Sequence, residues 1–392
     1  MNKINGENMI TNEEITKLWA GKNYFQPAIC RSGDGILFMT LQELFAADTF
    51  GSPSCSFSTD DGLTWSEPEV IDAFRTTRFD DGKEETIADV RPYFHPKSGM
   101  IIVIGCNTWH HRGDDGLLRH GEGKGIKKEK QYPVYAVRDA GGKWSERKLL
   151  AHSFFTDCSD CRTANFQLVI EPGGDLLIPV YFNLPGKNIY SVCVVRCSFD
   201  GGVLAIKKIS DVLSLEIGRG LIEPSLCCFQ GKYHLTIRAE DGHGYHSTSS
   251  DGLSWGGLTP WSWDNGQALV TSSTQQHWLV AGSHLYLFYV RKDKTNENVV
   301  RWRTPLFMSE VDPIRGCLIK DSEEIVFPLL KIDAKPNSMG NFHVALIENG
   351  TALVSEAPLW LQIEYGAKRE DDRLVGIYSE VWIKKIIYRD RQ

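Results

Sequence analysis

The 392 residues carry a formal net charge of −7, with 42% hydrophobic and 24% charged side chains. That balance supports a substantial core and excludes nucleic acid as an expected partner, because binding it requires a basic face that displaces counterions. No apolar run reaches the length of a membrane span, so a membrane is not an expected partner either.

Residues 1–18 are polar and acidic, without the apolar stretch of a signal peptide. As written the chain reads as cytoplasmic, or as secreted or periplasmic had a leader been removed. Residues 9–20 read as a short helix, with Thr11 as N-cap and Glu14 three residues on. Nearly everything after them is short β-branched and aromatic runs punctuated by Gly, Asp and Asn, the pattern of an all-β chain.

Six segments then repeat one plan: a polar residue, an apolar strand, a Gly-containing turn and a second apolar strand. They are residues 26–42 turning at Asp34-Gly35, 91–105 near Lys97-Ser98-Gly99, and 165–181 at Gly173-Gly174. The other three are 223–238 turning at Gln230-Gly231, 274–291 near Gly282, and 341–357 at Asn349-Gly350. Their turns lie roughly fifty to seventy-five residues apart, enough for four strands around an axis without long structureless loops. The expected fold is a single six-bladed β-propeller over 1–392, with a short N-terminal helix. Its blades fall near 20–75, 86–150, 160–210, 218–265, 270–330 and 336–392. Residues 374–388, with Val381, Ile383, Ile386 and Ile387, have no hairpin of their own and are expected to close the ring with the N-terminal region.

A second repeat supports this plan. Ser58-Thr59-Asp60-Asp61-Gly62-Leu63-Thr64-Trp65 is a full S-x-D-x-G-x-T-W Asp box, with partial copies at Asp139–Trp144, Ser198–Gly202 and Ser250–Trp255. Asp and Ser are suited to accept turn amides, Gly permits the tight turn and Trp packs on its own blade. These boxes are expected to be structural.

The ten cysteines show no disulfide or zinc framework: Cys158 and Cys161 form a lone CxxC, and Cys227 and Cys228 sit in an apolar run. Neither a metal nor a cofactor is expected, although His243, His246 and His277 offer a conceivable ligand set. The cationic segment Lys124–Lys130 reads as solvated, and the insertion 108–131, with His110, His111 and His120, as a mobile cover for the cleft. Arg301-Trp302-Arg303 alternates charge with an aromatic on a strand, so that one face of the strand is expected to be functional or the other solvated.

In a propeller the open ends of the hairpins converge on one rim around the axis. Gln26, Asp48, Asp89, Arg91, Glu223, Arg238, Glu240, Gln275, His277 and Arg291 are therefore expected to share one cleft. Equal spacing from the turn places Glu223 opposite Arg238, Thr274 opposite Arg291 and Gln26 opposite Gln42.

The stretch Gly220-Leu221-Ile222-Glu223-Pro224, then Leu235-Thr236-Ile237-Arg238, then the DGLSW box, resembles the central part of sialidases of the Asp-box kind. The resemblance implies that Glu223 polarises a tyrosine nucleophile, that Arg238 grips a substrate carboxylate with Arg291 as second arginine, and that Asp48 is the acid/base. Guanidinium forks match carboxylates and stay charged at any working pH. Two carboxylates fit glycosidic cleavage. This chain departs from the family pattern in two places. Gln26-Pro27 stands where sialidases have Arg-Ile-Pro, and Gly340-Asn341-Phe342-His343 occupies the region of the tyrosine, leaving Tyr245, Tyr365 and Tyr378 elsewhere.

The reading is thus an exo-acting, sialidase-like glycoside hydrolase whose partner is an acidic mono- or oligosaccharide. Its alternatives are a lyase on uronate-containing sugars, with His277 or Tyr245 as base, and a non-catalytic sugar-binding propeller. The candidate catalytic residues are Asp48, Glu223, Tyr245 and His277. The candidate substrate-binding residues are Gln26, Asp89, Arg91, Arg238, Glu240, Gln275, Arg291 and Arg303.

Overall fold

The computed structural model describes residues 8–46, 48–112, 118–120, 129–187, 189–348, 350–361, 369–370, 373–374 and 377–390. Each of the six repeated segments forms an antiparallel hairpin that starts a blade. In blade 1 the inner strand Tyr24–Arg31 pairs with Leu37–Ala46, followed by Thr49–Ser58 and the short outer strand Glu69–Val70. Blade 2 runs Lys83–His95, Met100–Arg112, Pro133–Arg138 and Lys148–Leu149. Blade 3 has the brief inner strand Val169–Ile170, then Leu176–Asn183, Tyr190–Asp200 and Val203–Ile209, and Cys161–Arg162 also pairs with its second strand. Blade 4 is Ile222–Phe229, Lys232–Arg238, Gly244–Ser249 and Thr259–Pro260. Blade 5 is His277–Ala281, His284–Tyr289, Leu306–Asp312 and Glu324–Phe327.

Blade 6 contains the chain's closure. Its strands His343–Glu348 and Thr351–Glu356 are followed by Val381–Asp390, and the outermost strand is the N-terminal Asn8–Leu18. The C-terminal segment therefore closes the ring as expected, but the segment expected as a helix over 9–20 is the strand Asn8–Leu18 followed by a turn. Ile10, Thr11, Ile15 and Thr16 are β-branched and restricted at χ1, which suits a pleated edge. The ladder offered by Val381–Asp390 overrides a capping pattern that has no helical partner to pack on.

Propeller blades are buried on both faces, so the core divides into one layer per blade-to-blade contact. Among the described residues the buried apolar side chains form six such clusters. Phe38, Ile71, Phe74 and Val103 lie between blades 1 and 2, for example, and Phe327, Phe342, Trp360 and Trp382 between blades 5 and 6. Burying each of these large side chains contributes roughly 1.5–3 kcal/mol.

The turn after Ser58 behaves as its residue types dictate. Ser58 Oγ donates to Asp60 Oδ1 at 2.8 Å, and Gly62 N donates to Ser58 Oγ at 2.9 Å. Thr64 N and Oγ1 both donate to the Asp60 carboxylate, and Trp65 Nε1 donates to Gly62 O at 3.1 Å. Hydrogen bonds from the Thr64 side chain and amide hold the Asp60 carboxyl down at about 2. In the fourth blade the same work is done by Ser249, Asp251 and Gly252, one residue earlier for the hydroxyl than the sequence repeat suggests.

Candidate active site on the propeller axis

The polar residues that open the hairpins reach the axis through a shared backbone device. Gln26, Asp89, Asn165 and Glu223 all have positive φ, at 53°, 56°, 48° and 49°. In blades 1, 2 and 4 the ladder shifts at this residue: Phe25 pairs with Gln42 but Ala28 with Thr40, Ala88 with Cys106 but Arg91 with Ile104, and Ile222 with Arg238 but Ser225 with Thr236. Each inner strand thus carries one extra residue, a β-bulge that re-aims a side chain at the rim. Holding a non-glycine residue there costs about 1–3 kcal/mol, and such strain gathers at functional sites.

The bulge corrects the expected pairing by equal spacing. Arg238 faces Ile222 across the ladder, not Glu223, and Gln42 faces Phe25, not Gln26. Arg291 bridges to Thr271 and not to Thr274. The side chains of Glu223 and Arg238 nevertheless meet, because the bulge swings the carboxylate across: Arg238 Nη1 donates to Glu223 Oε2 at 2.7 Å. The two side chains are 12% and 7% exposed, so the pair lines a recess and is not a solvent-screened surface bridge.

From this pair a hydrogen-bonded network reaches all six blades. Arg238 Nε and Nη2 donate to Ser273 Oγ at 3.2 and 3.0 Å, and Arg303 Nη2 donates to Ser273 O at 3.2 Å. Asn165 Nδ2 donates to Glu223 Oε1 at 3.3 Å and to Asn341 Oδ1 at 3.2 Å. Arg91 Nη2 donates to Asn165 Oδ1 at 2.5 Å, and its Nη1 donates to Gln26 O at 3.2 Å. Gln26 Nε2 donates in turn to Asp89 Oδ1 at 2.6 Å. In blade 6 the fully buried Glu356 accepts from the N–H groups of Gly340, Asn341 and Ala357 and so shapes the loop that presents Asn341. A Cβ at Gly340 would lie 2.7 Å from Thr274 Oγ1 and 3.2 Å from Arg303 Cδ, so the loop approaches that arginine only because the residue is glycine.

The charges are set by this packing. Burial pushes the Glu223 carboxyl up, but Arg238, Arg303 and the Asn165 amide outweigh it and leave it below the usual glutamate range. Burial pushes Asp89 up to about 6, against the pull of Arg91 and Arg162. Burial and the neighbouring Arg238 bring Arg303 down to about 10, so it remains a cation at neutral pH. Among the recess side chains, Gln26 Oε1, Arg91 Nε and Arg303 Nε are buried without a hydrogen-bond partner among the described residues. Asp48 is exposed at the rim, with φ at 52°. Its backbone oxygen contacts His110 Nε2 at 3.1 Å, and its charge is within reach of Arg303.

Gln26, Asp89, Arg91, Glu223, Arg238 and Arg303 therefore come together on the axis as expected, with Asp48 at their edge. Others do not. Arg291 is held by Glu323 at 2.6 Å and Asp293 at 3.0 Å and lies over Phe307, lining a separate cavity of about 290 Å³. The second arginine beside Arg238 is Arg303, not Arg291. His277 and Gln275 are fully buried. His277 Nδ1 meets Ser225 Oγ at 2.8 Å and its ring packs on Phe342 and His343, while Gln275 Nε2 donates to Phe342 O. They fill the axis below the recess, where burial and Arg91 keep His277 neutral. Glu240 is taken by Arg219. The Tyr245 hydroxyl donates to Asp241 at 2.6 Å, and burial with that carboxylate pushes it up to about 12. Tyr378 donates to Glu380, and Tyr365 lies outside the described residues.

The three histidines that could form a ligand set have different surroundings: His246 stacks on Trp261 and His243 contacts Leu269 O, whereas His277 is in the axis. Of the insertion, residues 113–117 and 121–128 lie outside the described residues, while Leu118–His120 pairs with the second strand of blade 2.

Asn165, Ser273, Asn341, Glu356 and Arg162 belong to the site or its surroundings without being among the expected site residues. Asn165 and Asn341 had a usable signal, since each opens a hairpin at the position of Gln26 and Glu223. Ser273, Glu356 and Arg162 had none.

No family model matches the chain, and no curated protein matches it in sequence. Solved structures do match in shape. A Dyadobacter fermentans protein of unknown function superposes with a TM-score of 0.65 at 13% identity, over 97% of this chain and 99% of that one. Trypanosoma rangeli sialidase in complex with sialic acid gives 0.60 at 14% identity, over 92% of this chain and 54% of that one. The intramolecular trans-sialidase from Ruminococcus gnavus gives 0.56 at 10% identity, over 94% and 95%. The chain spans about half the length of the trypanosomal enzyme. The fold is the six-bladed propeller of the sialidases.

Proposed function

We propose that the axial recess binds and cleaves a terminal acidic sugar, making the protein an exo-acting, sialidase-like glycoside hydrolase. The observation that carries this reading is the cluster Glu223–Arg238–Ser273–Arg303, which sets two cations beside an ionised carboxylate in a recess lined by all six blades. Arg238 and Arg303 take the sugar carboxylate, where a guanidinium fork is worth more than in bulk water. Asp89 and the unpartnered Oε1 of Gln26 both face ring hydroxyls as acceptors. Asp48 protonates the leaving oxygen and Glu223 acts as the base. Asn341 offers no phenol from blade 6, so we assign water as the attacking group.

The test is a panel of sialic acid and uronic acid glycosides, read for released saturated sugar, with wild type and Glu223→Gln. Wild type is expected to release one of these sugars, and Glu223→Gln to lower turnover by roughly 10²–10⁴-fold with the fold intact. Retained turnover in Glu223→Gln rejects its role. An unsaturated product absorbing in the ultraviolet would instead establish the lyase reading, whose expected bases His277 and Tyr245 are enclosed or engaged. Binding without any product would establish a sugar-binding propeller, the reading favoured by Asn341 standing in the tyrosine region.

A further inference from the structure

Arg91, Asn165, Asn341 and Glu223 form a chain in which the role of every donor and acceptor is settled. A guanidinium only donates, so the atom that meets Arg91 Nη2 at 2.5 Å must be the oxygen Asn165 Oδ1. Asn165 Nδ2 is thereby turned the other way, where it donates to Glu223 Oε1 at 3.3 Å and to Asn341 Oδ1 at 3.2 Å. Because an amide nitrogen does not accept, Asn341 presents its oxygen to Asn165 and not its nitrogen. The Asn341 main chain is held separately: its N–H and that of Gly340 donate to Glu356 Oε2 at 3.1 and 2.8 Å. Arg238 fixes Glu223 through the other carboxylate oxygen, at 2.7 Å. Glu223 Oε1 and Asn341 Oδ1 are thus two acceptors converging on one nitrogen, each immobilised from behind.

An amide nitrogen carries two hydrogens, and here both are used. Its two N–H bonds diverge by about 120°, so the acceptors flank Asn165 and lie closer together than the two hydrogen bonds laid end to end. One water donating a proton to each can bridge them. Asn165 Nδ2 has no hydrogen left to offer that water, so the water's lone pairs are free to face away from Asn165. The open side is the recess: Glu223 and Asn341 are partly exposed, whereas Asn165 beneath them is 3% exposed.

We propose that Glu223 and Asn341 seat the attacking water, with Asn165 as the positioning residue that orients both, and that the sugar is released with inverted anomeric configuration. The proposal rests on the axial reading above and specifies its reaction course. The water oxygen bonds to the anomeric carbon as the bond to the leaving oxygen breaks. One water proton passes to Glu223, Asn341 Oδ1 holds the other, and Asp48 gives its proton to the leaving oxygen. A single displacement by water inverts the carbon, whereas retention needs a covalent sugar–enzyme intermediate and a second displacement.

Aryl glycosides of N-acetylneuraminic acid and of glucuronic acid, each as the α and the β anomer, supply the test. Wild type is given each in turn, and the anomer released first is read by proton NMR before mutarotation. The expected product has the configuration opposite to its substrate. A first product of retained configuration overturns the water seat and leaves the axial hydrolase reading in place. Asn341→Leu removes the acceptor at similar side-chain size, and is expected to lower kcat by about 10²-fold with KM unchanged, because Arg238 and Arg303 are untouched. Asn341→Asp keeps an acceptor oxygen and should recover part of the rate. By setting a second carboxylate beside Glu223 it should also move the acid limb of the pH–rate profile upward. An Asn341→Leu enzyme with unchanged kcat, or with its loss confined to KM, overturns the role of Asn341. The product anomer is read on wild type alone and so decides the matter even where a variant does not fold. Wild type that releases none of these sugars contradicts both readings.

Discussion

Asp89 is the residue whose ionisation the recess leaves closest to neutrality. Burial raises its carboxyl to about 6, where an exposed aspartate lies near 3.9. Gln26 donates to it at 2.6 Å but brings no charge, whereas an arginine there would help hold it ionised. The sign follows from that shift: a carboxyl with a raised folded value favours the folded state most below about pH 4, and this contribution is lost as pH rises through about 6. The same ionisation adds a negative charge to the recess over that window. Affinity for an acidic monosaccharide is therefore expected to fall as pH rises from about 5 to 7, and Asp89→Asn to flatten the profile. An unchanged slope in Asp89→Asn, measured by calorimetry across that range, rejects Asp89 as the titrating group.

At the scale of elements, the inner-strand bulges and the closing strand separate what patterning can show from what it cannot. Hairpin positions were legible because apolar runs, glycine turns and β-branched residues repeat along the chain. The bulges were not, because one extra residue at positive φ leaves no mark in a run such as Ile222-Glu223-Pro224. Equal spacing from the turn consequently named Glu223 and Arg238 as neighbours for an incomplete reason. Arg291 and Arg303 show the same limit. Both are arginines in blade 5, and only the loop that carries Arg301, Trp302 and Arg303, with Arg301 and Trp302 at positive φ, decides which one reaches Ser273. Likewise residues 9–20 read as a helix in isolation, and Asn8–Leu18 is a strand because Val381–Asp390 offers it a ladder. Deleting residues 1–18 removes that outermost strand of blade 6 and exposes an edge. A lowered melting temperature and a gain in concentration-dependent association are expected. An unaltered melting curve would mean that the N-terminal strand adds nothing to closure.

Across the whole molecule, the six interblade clusters hold the inner strands at fixed angles about the axis, and the recess depends on that arrangement. Residues far apart in sequence converge there: Gln26 of blade 1 is linked through Arg91, Asn165 and Glu223 to Arg238 of blade 4. In the last blade Asn341 meets Asn165 of blade 3, and the Glu356 carboxyl lies within reach of Arg91 of blade 2 and Arg303 of blade 5. The likeness in shape to sialidases supplies the scaffold, and at 10–14% identity the chemistry rests on this chain's own side chains. The most direct test is a crystal structure with a bound acidic monosaccharide. The sugar carboxylate is predicted to lie about 3 Å from guanidinium nitrogens of both Arg238 and Arg303. A carboxylate seated instead in the Arg291–Glu323 cavity, or a sugar bound away from the axis, would contradict the account.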